Sequence, residues 1–125
     1  MSSLGTVVWF ELWVRDPERA KAFYGELFGW SFRPFEGYDP ENYWLIDAGE
    51  TAAANGALVR HPDTASRPAR GTVVYVQVAD LDAAVARVID LGGTVTAPVR
   101  VITASAGSFA MVADAEGNEI GIWAP

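Results

Sequence analysis

The stretch Val7–Gly29, VVWFELWVRDPERAKAFYGELFG, holds the fold of this 125-residue chain in miniature. Its first eight residues are β-branched, aromatic or apolar around one acid, which predicts a strand. Asp16 is then a favoured N-cap, Pro17 fits the first helical position and Glu18 suits the positive end of a helix. Ala20, Phe23, Tyr24, Leu27 and Phe28 recur at helical spacing, and Gly29 supplies a stop. Alternation along the strand puts Val8, Phe10, Leu12 and Val14 on one face, which reads as plain core, and Trp9, Glu11 and Trp13 on the other. A carboxylate is costly to bury without a partner, so the face with an acid between two indoles is expected to border a cavity or a polar partner.

The same pattern returns at Val73–Gly93, VVYVQVADLDAAVARVIDLGG. A shift of 64 residues lays Val14 on Val78, Asp16 on Asp80, Ala20 on Ala84, Leu27 on Leu91 and Gly29 on Gly93. The shift also lays Gly56-Ala57-Leu58 over Ile120-Gly121-Ile122. YWLIDAG (Tyr43–Gly49) and NGALVR (Asn55–Arg60) read as short strands. SFAMVADAEGNEIGIW reads as two strands across a turn held by Asp, Gly and Asn. Two copies of one strand–helix–strands unit are the simplest account. They divide the chain into a module over 6–60, a connecting loop over 61–70 and a module over 71–124.

Half of the residues are apolar and a fifth are charged, as in an ordinary globular domain. No apolar run approaches the roughly 20 residues that span a bilayer, and the opening MSSLGTVVW does not read as a signal segment. The chain has no cysteine, hence no disulfide framework and no thiolate metal site, which fits a reducing cytoplasm. Nine Lys and Arg against sixteen Asp and Glu give a formal charge of −7. That balance argues against nucleic acid or an anionic membrane as partner and favours a cationic or neutral ligand.

The phrases RDPERAKAFYGELFGW, VADLDAAVARVIDLGG and DAEGNEIGIW, in this order and spacing, resemble the vicinal oxygen chelate superfamily, the glyoxalase, bleomycin-resistance and extradiol-dioxygenase group. The resemblance covers Val7 to Trp123. It implies an α+β fold in which two βαβββ modules form an open, cup-shaped mixed sheet, completed by homodimerisation, with a small molecule bound inside. It also implies metal ligands, His or Glu, at positions held here by Trp9, Ala57, Val73 and Gly121. None of these side chains coordinates a divalent cation, so no cofactor is expected. A shifted divalent-metal site is the alternative. His61, the single histidine, precedes Pro62 in the loop and reads as an exposed loop residue.

By alternation the cup face would carry Trp9, Glu11 and Trp13, then Tyr75 and Gln77, then Glu119 and Trp123, with Gly121 removing bulk where a ligand is usual. Such a wall can stack on a planar ligand, hold a cation and orient it with a few hydrogen bonds. The favoured function is a metal-free protein that sequesters an aromatic or cationic compound such as an antibiotic. The alternatives are a glyoxalase-like lyase, isomerase or dioxygenase, using a shifted metal or Glu11 and Glu119 as an acid–base pair, and a degenerate module kept as an interaction piece. Aromatic residues on strands are commonly packing, and that alternative stands for Trp9, Trp13 and Trp123.

Overall fold

Strand β1 (Val7–Val14) leads through Asp16 into helix α1 (Pro17–Phe28). The Asp16 carboxylate accepts a hydrogen bond from the Arg19 N–H at 3.2 Å, and Gly29 ends the helix with φ 76°, which a residue with a Cβ rarely adopts. Three short strands follow: β2 (Ser31–Pro34), β3 (Tyr43–Asp47) and β4 (Asn55–Arg60). The second half repeats the plan with β5 (Thr72–Gln77), α2 (Leu81–Asp90), β6 (Thr94–Thr103), β7 (Gly107–Ala113) and β8 (Glu119–Ala124). Asp80 caps α2 as Asp16 caps α1, accepting from the Ala83 N–H at 3.1 Å. The computed structural model describes residues 5–50, 55–61 and 71–125; of the expected loop over 61–70, all but His61 lies outside the described residues.

The chain divides into two units, Trp9–Val73 and Val74–Pro125 with Met1–Val8. In the first, the strands run β2-β3-β4-β1, with β1 parallel to β4 and the other pairs antiparallel. In the second they run β5-β8-β7-β6, with β5 parallel to β8 and the rest antiparallel. Each unit is thus a mixed sheet with one helix, the α+β class expected. The repeat also holds at the level of register: Glu11 lies opposite Ala57 on β4, and Tyr75, 64 residues after Glu11, lies opposite Gly121, 64 residues after Ala57.

Strands β2 and β6 were not evident from residue patterns, and both end the strand order of their unit. Edge strands tolerate Pro, and β2 ends on Pro34 while β6 contains Pro98 and breaks its register with β7 at several points. The core of the second unit is Leu81, Ala110, Val112 and Ile122, with Val78, Ala84, Val85, Val88 and Ile120 of the strands and α2 packed around it. In the first unit Leu58 is fully buried, and Trp44 and Ile46 are nearly so. The Phe10 ring lies flat against Gly56, so close that a Cβ there would fall 2.5 Å from it. The Lys21 ammonium sits 4.3 Å from the centre of the Trp44 ring.

One expectation about β1 is reversed. The face read as plain core, Val8, Phe10, Leu12 and Val14, is only half-buried, whereas Glu11 is 4% exposed. Helix α1 lies against β2 and β4, and Leu58 of β4 is fully buried. Among the described residues no helix is long and apolar enough to cross a membrane.

Candidate functional site

The acid between two tryptophans is buried because its neighbours serve it. The Trp13 indole N–H donates to Glu11 Oε1 at 3.0 Å, and the Tyr43 hydroxyl donates to Oε2 at 2.6 Å. The Trp9 indole N–H in turn donates to the Tyr43 oxygen at 2.9 Å. An indole nitrogen can only donate, so both ends of the chain point toward the carboxylate, an arrangement that suits its ionised form. Strand geometry produces this set. Trp9, Glu11 and Trp13 share a face by alternation. Tyr43 on β3 is brought to the same face through β4, where Val59 pairs with both Tyr43 and Trp13.

Tyr43 was not among the residues singled out from the sequence. Its role depends on the pairing of β3 with β4 and of β4 with β1, and nothing local in YWLID encodes that. His61 is a correction. Expected to be an exposed loop residue, it is 4% exposed. It directly follows β4, its backbone N–H donates to the Val14 carbonyl at 2.7 Å, and it therefore continues the strand pairing for one more residue. Its ring meets the Trp13 ring edge-on, with centroids 6.0 Å apart and planes at 77°. Trp13 itself is only half-buried and separates these two buried polar groups.

The second unit treats its share of the expected face differently. Tyr75 is buried and lies across Gly121, where a Cβ would fall 2.2 to 2.7 Å from the ring. Gly121 therefore does not open space, as expected from the sequence; the Tyr75 ring fills it. Phe109 of β7 packs on Tyr75 edge-on at 6.1 Å. The Trp123 indole donates to the Ala106 carbonyl at 2.7 Å, holding the β6–β7 turn, so one of its functions is packing. Glu119 accepts from the Thr96 hydroxyl at 2.7 Å. Gln77 is half-buried at the end of β5, its backbone N–H and C=O bonded to Thr6 and Gly5.

The positions at which the resemblance implies metal ligands do not fit a cation. Trp9, Ala57, Val73 and Gly121 offer an indole, a methyl, an isopropyl group and a hydrogen, and the Trp9 N–H is spent on Tyr43. Among the described residues no three His, Cys, Asp or Glu side chains come together in a way that could hold a metal ion.

Two capped helices, each followed by three strands with the last parallel to the first, define a protein built from paired βαβββ units. The chain belongs to the glyoxalase/bleomycin resistance protein/dioxygenase superfamily, whose sequence profile matches residues 6–122. Among curated proteins it is similar to the proposed glyoxylase CFP32 of Mycobacterium tuberculosis (strain CDC 1551 / Oshkosh) and of Mycobacterium bovis. Each is 32% identical over 121 residues, which are 95% of this chain and 45% of the relative. The chain thus spans under half the length of these relatives. Among solved structures it is similar to methylmalonyl-CoA epimerase from M. tuberculosis (TM-score 0.68, 20% identity, covering 100% of this chain and 91% of that one). It is also similar to a superfamily member from Vibrio splendidus 12B01 (TM-score 0.65, 15% identity, covering 95% and 97%). At these identities the likeness is one of fold.

Proposed function

We propose that this chain binds a small organic molecule bearing a cationic nitrogen, anchored by Glu11 on the β1 face of the first unit, without a divalent metal at the positions its superfamily uses. The observation that supports this reading is the carboxylate itself, held at 4% exposure with each oxygen met by a fixed neutral donor. A carboxylate binds a charged donor more strongly than a neutral one. Trp9 and Trp13 supply the flanking aromatic surface, and the formal charge of −7 favours a cation over an anion at long range. Sequestration of an aromatic or cationic compound such as an antibiotic, by a homodimer in a reducing cytoplasm, is the finer form of the proposal.

The test is equilibrium binding of benzylammonium, with benzoate as the anionic comparison, to metal-analysed protein and to Glu11→Gln. The proposal expects benzylammonium to bind, benzoate not to, and Glu11→Gln to lose the binding. Equal binding by the wild type and Glu11→Gln would overturn it.

One observation favours a second reading, acid–base catalysis by a lyase or isomerase. Glu11 and the buried imidazole of His61 share a face, and a carboxylate with an imidazole is a competent pair for moving protons. The solved neighbour named methylmalonyl-CoA epimerase suggests the assay: methylmalonyl-CoA in deuterated water, with exchange at the carbon between the two carbonyls as the readout. Exchange that depends on both Glu11 and His61 would favour catalysis over sequestration.

A further inference from the structure

Where β1 ends and α1 begins, an open cleft of about 290 Å3 is lined by Val14, Asp16, Arg19, Ala20, Phe23 and Tyr24. Alternation along β1 puts Val14 on the face away from Glu11 and Trp13, so this cleft is separate from the Glu11 anchor. Phe23 is 59% exposed, and its ring meets Tyr24 edge-on with centroids 5.1 Å apart. Tyr24 in turn stacks on Trp30 at 5.5 Å, which fixes that wall. The charges in the cleft are not matched within the protein. On the same helix Glu18 and Lys21, three residues apart, pair at 3.0 Å. Asp16 and Arg19 have the same spacing and opposite charges, yet among the described residues no ion pair joins them and the guanidinium has no hydrogen-bond partner. Asp16 accepts the Arg19 backbone N–H through Oδ1 as the helix cap, and Oδ2 makes no described bond.

We propose that this cleft binds an α-amino acid with an aromatic side chain. The ligand's carboxylate takes the Arg19 guanidinium, whose planar fork matches it, and its ammonium takes the Asp16 carboxylate. Its ring packs over Ala20 and Val14 and meets Phe23 and Tyr24 in the edge-to-face geometry those rings already use. A volume near the lower end of ligand pockets, roughly 300 Å3, admits one molecule of this size. A zwitterion is also indifferent to the formal charge of −7, which would repel a plain anion.

The probe is L-phenylalanine, titrated into isotopically labelled protein. The Ala20 methyl resonance should shift and saturate in about the millimolar range, and the ligand's ring protons should give a nuclear Overhauser effect to that methyl. Asp16→Asn keeps a residue that caps helices, and Arg19→Gln keeps a helix former, so both variants preserve α1. Each should weaken L-phenylalanine by about tenfold, the worth of one hydrogen bond to a charged group. L-Phenylalaninamide, which lacks the carboxylate, should bind wild type about tenfold more weakly and be indifferent to Arg19→Gln; N-acetyl-L-phenylalanine, which lacks the ammonium, should be indifferent to Asp16→Asn. If Arg19→Gln weakens L-phenylalanine while Asp16→Asn leaves it unchanged, the cleft takes a plain carboxylate and the amino-acid assignment is overturned. Binding insensitive to both substitutions, or an Ala20 methyl that neither shifts nor contacts the ligand, would overturn the site itself.

Discussion

Glu11 with Ala57 in the first unit and Tyr75 with Gly121 in the second are the same two positions of one repeat, set in the same parallel register. The first unit fills the place with a carboxylate and a methyl group, and brings donors from Trp13 and Tyr43 to make that burial tolerable. The second fills it with a phenol ring and removes the opposing side chain altogether. Ala57 and Gly121 stand at positions where the resemblance implies metal-binding side chains, and the residues opposite them differ: one solution is polar, while the other is steric. An internal repeat thus conserves backbone geometry while its side chains diverge into a candidate site and a closed plug.

The sharpest way to break this contrast is to remove the plug. Tyr75→Ala should destabilise the protein by about 3–5 kcal/mol, since a buried ring is lost over a glycine that cannot refill the space. Urea unfolding followed by circular dichroism measures it; a loss below 1 kcal/mol would mean the ring is not a plug. Gly121→Ala should cost about 1–3 kcal/mol through the clash with Tyr75, and in the Tyr75→Ala background most of that cost should disappear. The coupling is the decisive number, because a strand that merely prefers glycine at position 121 would give the same penalty in both backgrounds.

On the polar side, Tyr43→Phe removes the 2.6 Å bond to Glu11 and takes from the Trp9 N–H its acceptor. A loss of about 1–3 kcal/mol in the same unfolding assay is expected, the range for leaving a buried donor or acceptor unsatisfied. Ala57→Gly, the substitution that makes the first unit resemble the second at this position, should cost no more than about 1 kcal/mol, because no ring stands ready to use the space. If Ala57→Gly were instead as costly as Gly121→Ala, the two units would be filling the position in the same way.

Much of this architecture was legible in the residues. The caps at Asp16 and Asp80, the stop at Gly29 and the 64-residue shift are local or periodic signals, and the register pairs recover the shift strand by strand. Edge strands β2 and β6 were not legible, being short or interrupted by proline and lacking alternation. The site was half legible. Alternation placed Trp9, Glu11 and Trp13 on one face, but Tyr43 reaches Glu11 only through strand order, and His61 is buried only because β4 pairing runs one residue past the strand. The filling of Gly121 was invisible for a related reason: a glycine reports missing bulk and not which side chain lies across it.

The smallest effect concerns the turn that ends β7. Asp114 accepts hydrogen bonds from the backbone N–H groups of Glu116 and Asn118, at 2.9 Å each, and from the Asn118 side chain at 3.0 Å. The Asn118 side-chain bond, followed by the backbone donors, holds its carboxyl below the ordinary value of 3.8. Its repeat equivalent is Glu50. A carboxyl with a lowered folded value contributes stability that is present above its unfolded value and is lost as pH falls through the folded one. Asp114→Asn should therefore unfold at lower urea than wild type at neutral pH, and the gap should close as the solution is taken below pH 3.8. Glu50→Gln, measured over the same pH range, is the comparison for the first unit. A matching gap at both positions would mean that the two units close their hairpins by the same electrostatics, and that their divergence is confined to the faces bearing Glu11 and Tyr75.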